Sequence, residues 1–343
     1  MIFFLTSSCT GRPASRPLTL AFAALVPLLV FQGDGGLGAT PQDASAPAAA
    51  PAPLRFEPGA KVPPLLIPRD EELVYRAYLG VAITETHVGK VVQTCKVEEL
   101  KAPLIATAPV ARGEAAAIRL EAEAEYLWME LSSALEAKIL PQAWPRLLYT
   151  SETTSSQTRK RELWIGEVDQ KPRSAFRSDT SKGAPEGTRI WKAPRERDVP
   201  AGSLDMISAV FMTRAMMREE LETLSFPLVD KDRVWLLSLK RGEERRMKLP
   251  AGTFDVVEVL LEPEPYPDEK IEAEKLEQFE GVFGIQGTIH RGVEKKTGIG
   301  VRIQGSLPIK LGVSAEVDVL LESYRGTVPE FAPLAPEALA KPK

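Results

Sequence analysis

The sequence predicts a mainly β fold (β-rich α+β), an antiparallel open barrel or sandwich with one packed amphipathic helix. Apolar residues alternate with polar residues over 72–81 and in most later segments, which is the period-two pattern of a half-buried strand. Glycine and proline separate these segments at short intervals. Only the stretch 204–224 keeps its apolar residues at helical spacing. Many strands, short turns and one helix together indicate a curled antiparallel sheet.

The first part of the folded domain is predicted to consist of antiparallel hairpins. Its predicted strands span residues 72–81, 90–97, 117–124, 135–140, 147–152 and 159–166. Between the third and fourth of these strands, Ala, Glu and Leu favour one or two helical turns. The polar stretch 170–201 contains glycine and proline, so we predict a loop there around one short strand at 188–192.

A single helix is predicted from Leu204 to about Leu224. Ser203 can cap it by accepting a hydrogen bond from an unpaired backbone N–H, and Asp205 favours the positive helix end. The apolar residues at helical spacing are Ile207, Val210, Phe211, Met217, Leu221 and Leu224. The same stretch contains Met206, Met212, Met216 and Met217, and a methionine-rich stripe is more typical of core packing than of a ligand groove.

The remainder of the domain is predicted to be strand after strand. The predicted strands span residues 233–240, 245–248, 254–261, 280–290, 298–307 and 315–324. Glycine and proline at 250–252 and 263–267 mark bends between them. This run of strands supplies the second half of the predicted sheet.

The N-terminal 39 residues have the features of a secretory signal peptide. Arg12 and Arg16 precede an apolar run of 14 residues at 18–31, and small residues follow around 38–39. The run is shorter than the roughly 20 apolar residues of a membrane span, so none is predicted in the mature chain. These features predict an exported protein of the periplasm or cell envelope.

Three further segments complete the predicted organisation. Residues 40–67 are rich in proline and alanine and predict an extended linker. Residues 68–326 form the β-rich exported domain, and residues 327–343, which have a linker-like composition, are predicted to be a disordered tail.

Composition and motifs exclude several classes of function. A net charge of −4 provides no basic face for nucleic acid. The chain contains two histidines and two cysteines, and no zinc, phosphate-binding, dinucleotide or nucleophile-elbow motif occurs. Loss of the signal would leave Cys95 without a disulfide partner, and its apolar neighbours predict a small buried side chain. We therefore predict no catalytic residues, no metal and no cofactor.

Three segments carry a resemblance to a known family. They are 72–80 (ELVYRAYLG), 204–214 (LDMISAVFMTR) and 249–258 (LPAGTFDVVE). In this order they resemble a family of bacterial exported proteins known as domain of unknown function 3108, and the resemblance covers roughly 72–325. It implies a β-rich envelope domain of a Gram-negative-type bacterium, without an established activity.

Within the second of these segments, four residues are candidates for ligand binding. They are Asp205, Ser208, Phe211 and Arg214. Asp205 and Ser208 are three residues apart and share a helix face, so a helix cap with its local hydrogen bond is the alternative interpretation. The sequence does not decide between these two roles.

We consider three functions. The first is a non-enzymatic binding module for an apolar or lipid-like ligand or a lipidated partner such as a lipoprotein, which predicts an apolar cavity of several hundred cubic ångströms. The second is an assembly or scaffold protein that binds another envelope protein through a sheet edge or the Pro/Ala-rich arm. The third is an unrecognised hydrolase, which requires titratable groups that converge in a cleft.

Overall fold

The computed structural model describes residue 65 and most of the chain from 67 to 326. Within that range, residues 82–83, 101–112, 127–128, 140–146, 155–158, 170, 182–183, 185, 268, 270–278, 280, 282–283 and 310–312 are not described. The predicted signal peptide, almost all of the predicted linker and the predicted C-terminal tail lie outside the described residues.

Fourteen strands and one α-helix make up the described chain. The first eight strands are β1 Asp70–Val81, β2 Thr84–Leu100, β3 Gly113–Tyr126, β4 Met129–Ile139, β5 Leu147–Thr154, β6 Arg159–Val168, β7 Lys171–Ser178 and β8 Arg195–Asp198. Helix α1 Met206–Arg218 follows. The remaining strands are β9 Thr223–Asp230, β10 Arg233–Leu249, β11 Gly252–Pro265, β12 Gln286–Glu294, β13 Gly300–Ile309 and β14 Val313–Gly326.

All fourteen strands belong to one antiparallel sheet. Each strand pairs with its neighbours in sequence, except that β1 also pairs with β14, and β8 and β9 are the two edges. The sheet is therefore a meander that is interrupted between β8 and β9, where α1 lies in the sequence. The prediction of an antiparallel β fold with one packed helix is confirmed, and the sheet is not closed into a barrel.

The alternating sequence pattern of strand β1 corresponds to a buried face and a more exposed face of the sheet. Glu71, Leu73, Tyr75, Ala77 and Leu79 are all buried, whereas the residues between them are half-buried or exposed. Successive side chains of a strand point to opposite faces, so the odd-numbered residues of β1 share the inner face of the sheet.

Helix α1 occupies the space that the sheet encloses. Every residue from Ile207 to Met217 is buried. Ala209, Met212, Met216 and Met217 pack with a core formed by β1, β2, β3 and β9–β14. Ile207, Val210 and Phe211 pack with a second core formed mainly by β2, β3, β4, β6 and β7. A helix that is buried on all sides belongs to the core, so the interpretation of the methionines as core residues is confirmed.

The two ends of the sheet approach each other at α1. Val229 of β9 and Val234 of β10 belong to this second core, although β9 and β10 lie at the opposite end of the strand order from β6 and β7. A flat sheet would keep the two ends far apart. The sheet therefore curls around the helix and brings both of its halves against it.

Both edges of the sheet are protected against pairing with another chain. Strand β8 is only four residues long, and all four residues are charged. Strand β9 contains Pro227, and Leu204 covers it by accepting a hydrogen bond from Val229 and donating one to the carbonyl oxygen of Pro227. Short, charged or proline-containing edges are typical of sheets that do not add strands.

Several predicted elements are corrected. The predicted loop 170–201 contains strands β7 and β8, and in place of the predicted strand at 188–192 there are a short 3-10 helix at Glu186–Thr188 and one bridge between Asp179 and Trp191. The helical turns predicted after residue 124 are strand on both sides of the undescribed pair 127–128. Pairing across the sheet overrides the helix propensity of Ala, Glu and Leu there.

The predicted helix is too long, and its predicted cap is wrong. Helix α1 ends at Arg218, and Leu224 lies in β9. The N-cap residue is Asp205, whereas the hydroxyl of Ser203 donates to the carbonyl oxygen of Pro200 at 2.7 Å. Glu220 has a φ of 51°, a left-handed conformation in which the helix cannot continue.

Candidate functional site

The interior of the domain contains a cluster of buried charges. Nη2 of Arg214 donates to Oε1 of Glu71 over 2.7 Å, and the two side chains are 2% and 0% exposed. Arg291 is also buried, at 2% exposure. Charged side chains are rarely buried unless they are paired, so this cluster is the most unusual chemical feature of the core.

Three separate elements bring these charges together. Glu71 faces inward because it is in phase with the apolar residues of β1. Arg214 lies on α1, and the turn between β12 and β13 packs against it: a Cβ atom on Gly298, whose φ is 69°, would lie 3.1 Å from Cγ of Arg214. Arg291 lies on β12 between the buried residues Ile289 and Val293.

Glu71 also accepts from its neighbours on β2. Nε2 of Gln93 donates to Oε1 of Glu71 over 3.3 Å, and Sγ of Cys95 lies 4.0 Å from the same oxygen. Burial, together with the negative charge of Glu71, raises the pKa of the Cys95 thiol. Cys95 is thus a buried, protonated thiol, which confirms its interpretation as a small buried side chain.

Arg291 differs from Arg214 because it has no carboxylate of its own. Its Nε has no hydrogen-bond partner, and no ion pair to its guanidinium is found among the described residues. The guanidinium packs against Gly300 so closely that a Cβ atom there would lie 2.3 Å from Nη2. Burial lowers the pKa of Arg291 to about 10, so the side chain remains charged at neutral pH.

Tyr75 of β1 lies beside Arg291 and is held by Gly300, the residue of β13 against which the Arg291 guanidinium packs. Its hydroxyl donates to the carbonyl oxygen of Gly300 over 2.9 Å. Burial raises the pKa of Tyr75, and the positive charge of Arg291 opposes that effect only in part. Tyr75 is therefore neutral at physiological pH and does not balance the charge of Arg291.

A cavity of about 30 Å³ lies between α1 and the inner face of the sheet. Its apolar walls are Val91, Leu120, Val210, Ile285, Ile303 and Val319. Tyr75, Gln93 and Arg291 complete the lining. This volume holds about two water molecules. It is far below the several hundred cubic ångströms expected for a preformed lipid site, because α1 fills the concave side of the sheet.

The four predicted site residues all lie on or beside α1, with different roles. Oδ1 of Asp205 accepts from the backbone N–H of Ser208 over 2.8 Å. Asp205 and Ser208 therefore form the helix cap that the sequence offered as the alternative to ligand binding. Phe211 is a core residue whose ring lies 4.8 Å from the guanidinium carbon of Arg214. Of the four, only Arg214 belongs to the charge cluster, and none lines the cavity.

Sequence reasoning missed Glu71, Tyr75, Gln93 and Arg291. A signal was present in the sequence, because Glu71 and Arg291 stand in phase with apolar residues of their strands. A charge at a position where the pattern requires an apolar residue predicts a buried charge. The partners of each charge, however, come from distant parts of the chain.

Replacement of Asp205 with alanine should lower the free energy of unfolding by about 1 kcal/mol, because the first turn of α1 loses the acceptor for the Ser208 N–H. Urea unfolding of the variant beside Ser203→Ala measures this loss. The Ser203 hydroxyl donates to the carbonyl oxygen of Pro200 and accepts from no backbone N–H of α1 among the described residues. An equal loss in both variants would contradict the assignment of Asp205 as the cap.

No group of three or more potential metal ligands occurs among the described residues. In the same part of the chain, no helix combines the length and the apolar character that a membrane span requires.

Comparisons with known proteins provide little further information. No family model and no curated protein matches the chain. Among solved structures, the chain is similar to a protein described as a "putative lipoprotein" from Parabacteroides distasonis. The two share 10% sequence identity at a TM-score of 0.29, over 77% of this chain and 100% of the other. A similarity this distant does not bear on function.

Proposed function

We propose that this chain is an exported, non-enzymatic protein of the cell envelope that binds a lipid-like ligand between α1 and the inner face of the sheet. The features of a secretory signal at residues 1–39 support the location. The cavity is too small for a lipid as it stands, and the proposed binding role depends on its apolar lining between α1 and the sheet. Binding sites for small molecules are concave and mostly apolar, with a few polar groups that orient the ligand.

The chemistry of the cavity walls favours a hydrocarbon chain. Val91, Ile303 and Val319 come from strands of the sheet, and Val210 comes from α1. A ligand that enters here contacts aliphatic side chains from both sides. Burial of its methylene groups contributes about 0.8 kcal/mol each, which is the usual driving force for lipid binding.

A ligand with a tail of several carbons requires more room than the present cavity, so α1 has to move away from the sheet. The contacts between the sheet ends beside α1 are suited to such a movement. Arg195 of β8 forms an ion pair with Asp232, in the turn between β9 and β10. Arg197 of β8 pairs with Glu269 and donates to the carbonyl oxygen of Asp232 over 2.9 Å.

These contacts are side-chain interactions at the surface, not a backbone ladder. Arg195 is 59% exposed and Arg197 is 37% exposed. Exposed ion pairs contribute about 0–1 kcal/mol each. The ion pairs of the two exposed arginines therefore add little to the free energy that separation of the two sheet ends requires.

Replacement of Ile303 with tryptophan should fill the cavity and reduce ligand binding at least about tenfold, since overlap with a ligand costs more than 1.4 kcal/mol. Leu320→Trp is the matched control, because Leu320 is also half-buried, lies on the neighbouring strand and does not line the cavity. Native mass spectrometry of both variants and the wild type, purified from their own envelope, measures co-purifying lipid.

We expect lipid on the wild type and on Leu320→Trp, and little or none on Ile303→Trp. Repeated absence of lipid from the wild type would overturn the proposed function. Equal occupancy of the two variants would place the ligand somewhere other than this cavity.

The scaffold alternative agrees with an interior that α1 fills, but the edges of the sheet do not favour it. Strand addition needs an accessible edge, but β8 is short and charged and Leu204 covers part of β9. Docking through the Pro/Ala-rich segment concerns residues outside the described range. Crosslinking in cells to a single dominant protein partner, without co-purifying lipid, would favour this alternative.

A further inference from the structure

We infer that the ligand has a head group with a single negative charge, a carboxylate or a phosphodiester, which lies against Arg291 at the wall of the cavity. This inference rests on the proposed function and specifies its ligand. The observations that carry it are the charge balance of the buried cluster, the position of Arg291 in the cavity wall and the apolar character of the remaining walls.

The charge balance of the cluster determines the sign and size of the missing charge. Arg214 and Glu71 neutralise each other across 2.7 Å. Arg291 adds a second positive charge, while the neighbouring Tyr75 and Cys95 are protonated and neutral because burial raises both pKa values. Among the described residues, the charges of Glu71, Arg214 and Arg291 therefore sum to +1. One negative charge would restore neutrality inside the core.

The position of Arg291 makes its guanidinium available to a ligand. The side chain lines the cavity, and its Nε has no partner among the described residues. Close packing on Gly300 restricts the guanidinium on one side. A guanidinium presents five N–H donors in a planar fork that matches two oxygens of one carboxylate or phosphate.

A stabilising role in the fold does not explain Arg291. Isolated buried charges cost free energy, and an apolar side chain of similar size is often as stable or more stable in such a position. The carboxylate of Glu71 is bound by Arg214 instead. A ligand would supply the partner that the Arg291 guanidinium lacks among the described residues, and a ligand that is otherwise apolar agrees with the rest of the cavity walls.

The proposed charge discriminates among amphiphiles with identical tails. A monoanion neutralises the cluster, a neutral alcohol leaves the net charge at about +1, and a cation raises it to about +2. A dianionic phosphate monoester over-compensates and leaves a buried negative charge. The expected order of affinity is therefore monoanion first, then alcohol and dianion, and cation last.

Isothermal titration of the full chain with dodecanoate, 1-dodecanol, dodecyl phosphate and dodecylammonium, at pH 8 and in one buffer, tests this order. Hydrogen bonds to charged groups contribute about 1.5–3 kcal/mol, so dodecanoate should bind about 10- to 100-fold more tightly than 1-dodecanol. In Arg291→Met the affinity for dodecanoate should fall to that for 1-dodecanol.

Arg302→Met is the matched control. Arg302 lies on β13, next to β12, and pairs with Asp318 over 2.6 Å, away from the cavity. This variant should retain the preference for dodecanoate. Thermal unfolding of Arg291→Met without ligand verifies that it is folded, and Arg291→Lys, which keeps the charge, should retain part of the preference.

The outcomes separate this inference from the proposed function. If dodecanoate and 1-dodecanol bind equally to the wild type, or if Arg291→Met keeps the preference, the head-group assignment is wrong while lipid binding remains. If none of the four ligands binds, both are overturned.

Discussion

Replacement of Glu71 with glutamine should lower the free energy of unfolding by about 3–5 kcal/mol, the usual cost of breaking a buried ion pair on one side. Glutamine has nearly the same shape as glutamate, so packing is preserved and the charge alone is lost. Arg214 would then lose the buried carboxylate that pairs with it, close to the second buried cation Arg291.

The matched control is Glu72→Gln, one residue further along the same strand. Glu72 pairs with Arg325 over 2.7 Å, but their side chains are 29% and 76% exposed, so its loss should cost at most about 1 kcal/mol. The midpoints of urea unfolding, at unchanged slope, compare the two variants. A similar, small effect in both would show that Glu71 is not a buried counter-ion.

Truncation of Phe211 to alanine should also cost about 3–5 kcal/mol, because it leaves a cavity between α1 and the strands of the second core. Phe211 is 1% exposed, and its ring also faces the guanidinium of Arg214. A large loss is expected only if α1 is an integral part of the core.

The control for this variant is Arg218→Ala at the exposed C-terminal end of α1, where the loss should remain within about 0.5 kcal/mol. Urea unfolding followed by the far-ultraviolet signal of the sheet measures both variants. If Phe211→Ala unfolds at the wild-type midpoint, α1 does not contribute to the stability of the sheet, and its role as a core element is wrong.

The local pattern of apolar and turn residues was sufficient to predict most strands of the sheet. The alternation at 72–81 and the turn at 250–252 correspond to β1 and to the turn between β10 and β11. Such patterns work because one face of an antiparallel strand is buried and the other is not. The resemblance to domain of unknown function 3108 remains a prediction, since no family model tests it.

The local pattern gave wrong secondary structure where pairing with a distant strand competes with the local preference of the chain. Leu221 and Leu224 continue the helical spacing of α1, yet Leu224 pairs with Leu239 of β10. The positive φ of Glu220 interrupts the helix without a glycine or proline that would signal it. Strands β7 and β8 are rich in charged residues, and they are identified as strands by the pairing of β7 with β6 and of β8 with β7.

The sequence by itself determined the antiparallel strands, the single helix and the absence of any known catalytic or metal motif, because these depend on residues that are close in the chain. Only the tertiary structure decided that α1 fills the interior and that Glu71, Arg214 and Arg291 share it. Burial and charge pairing are properties of the folded chain: Glu71 and Arg214 are 143 residues apart in sequence and 2.7 Å apart in the core.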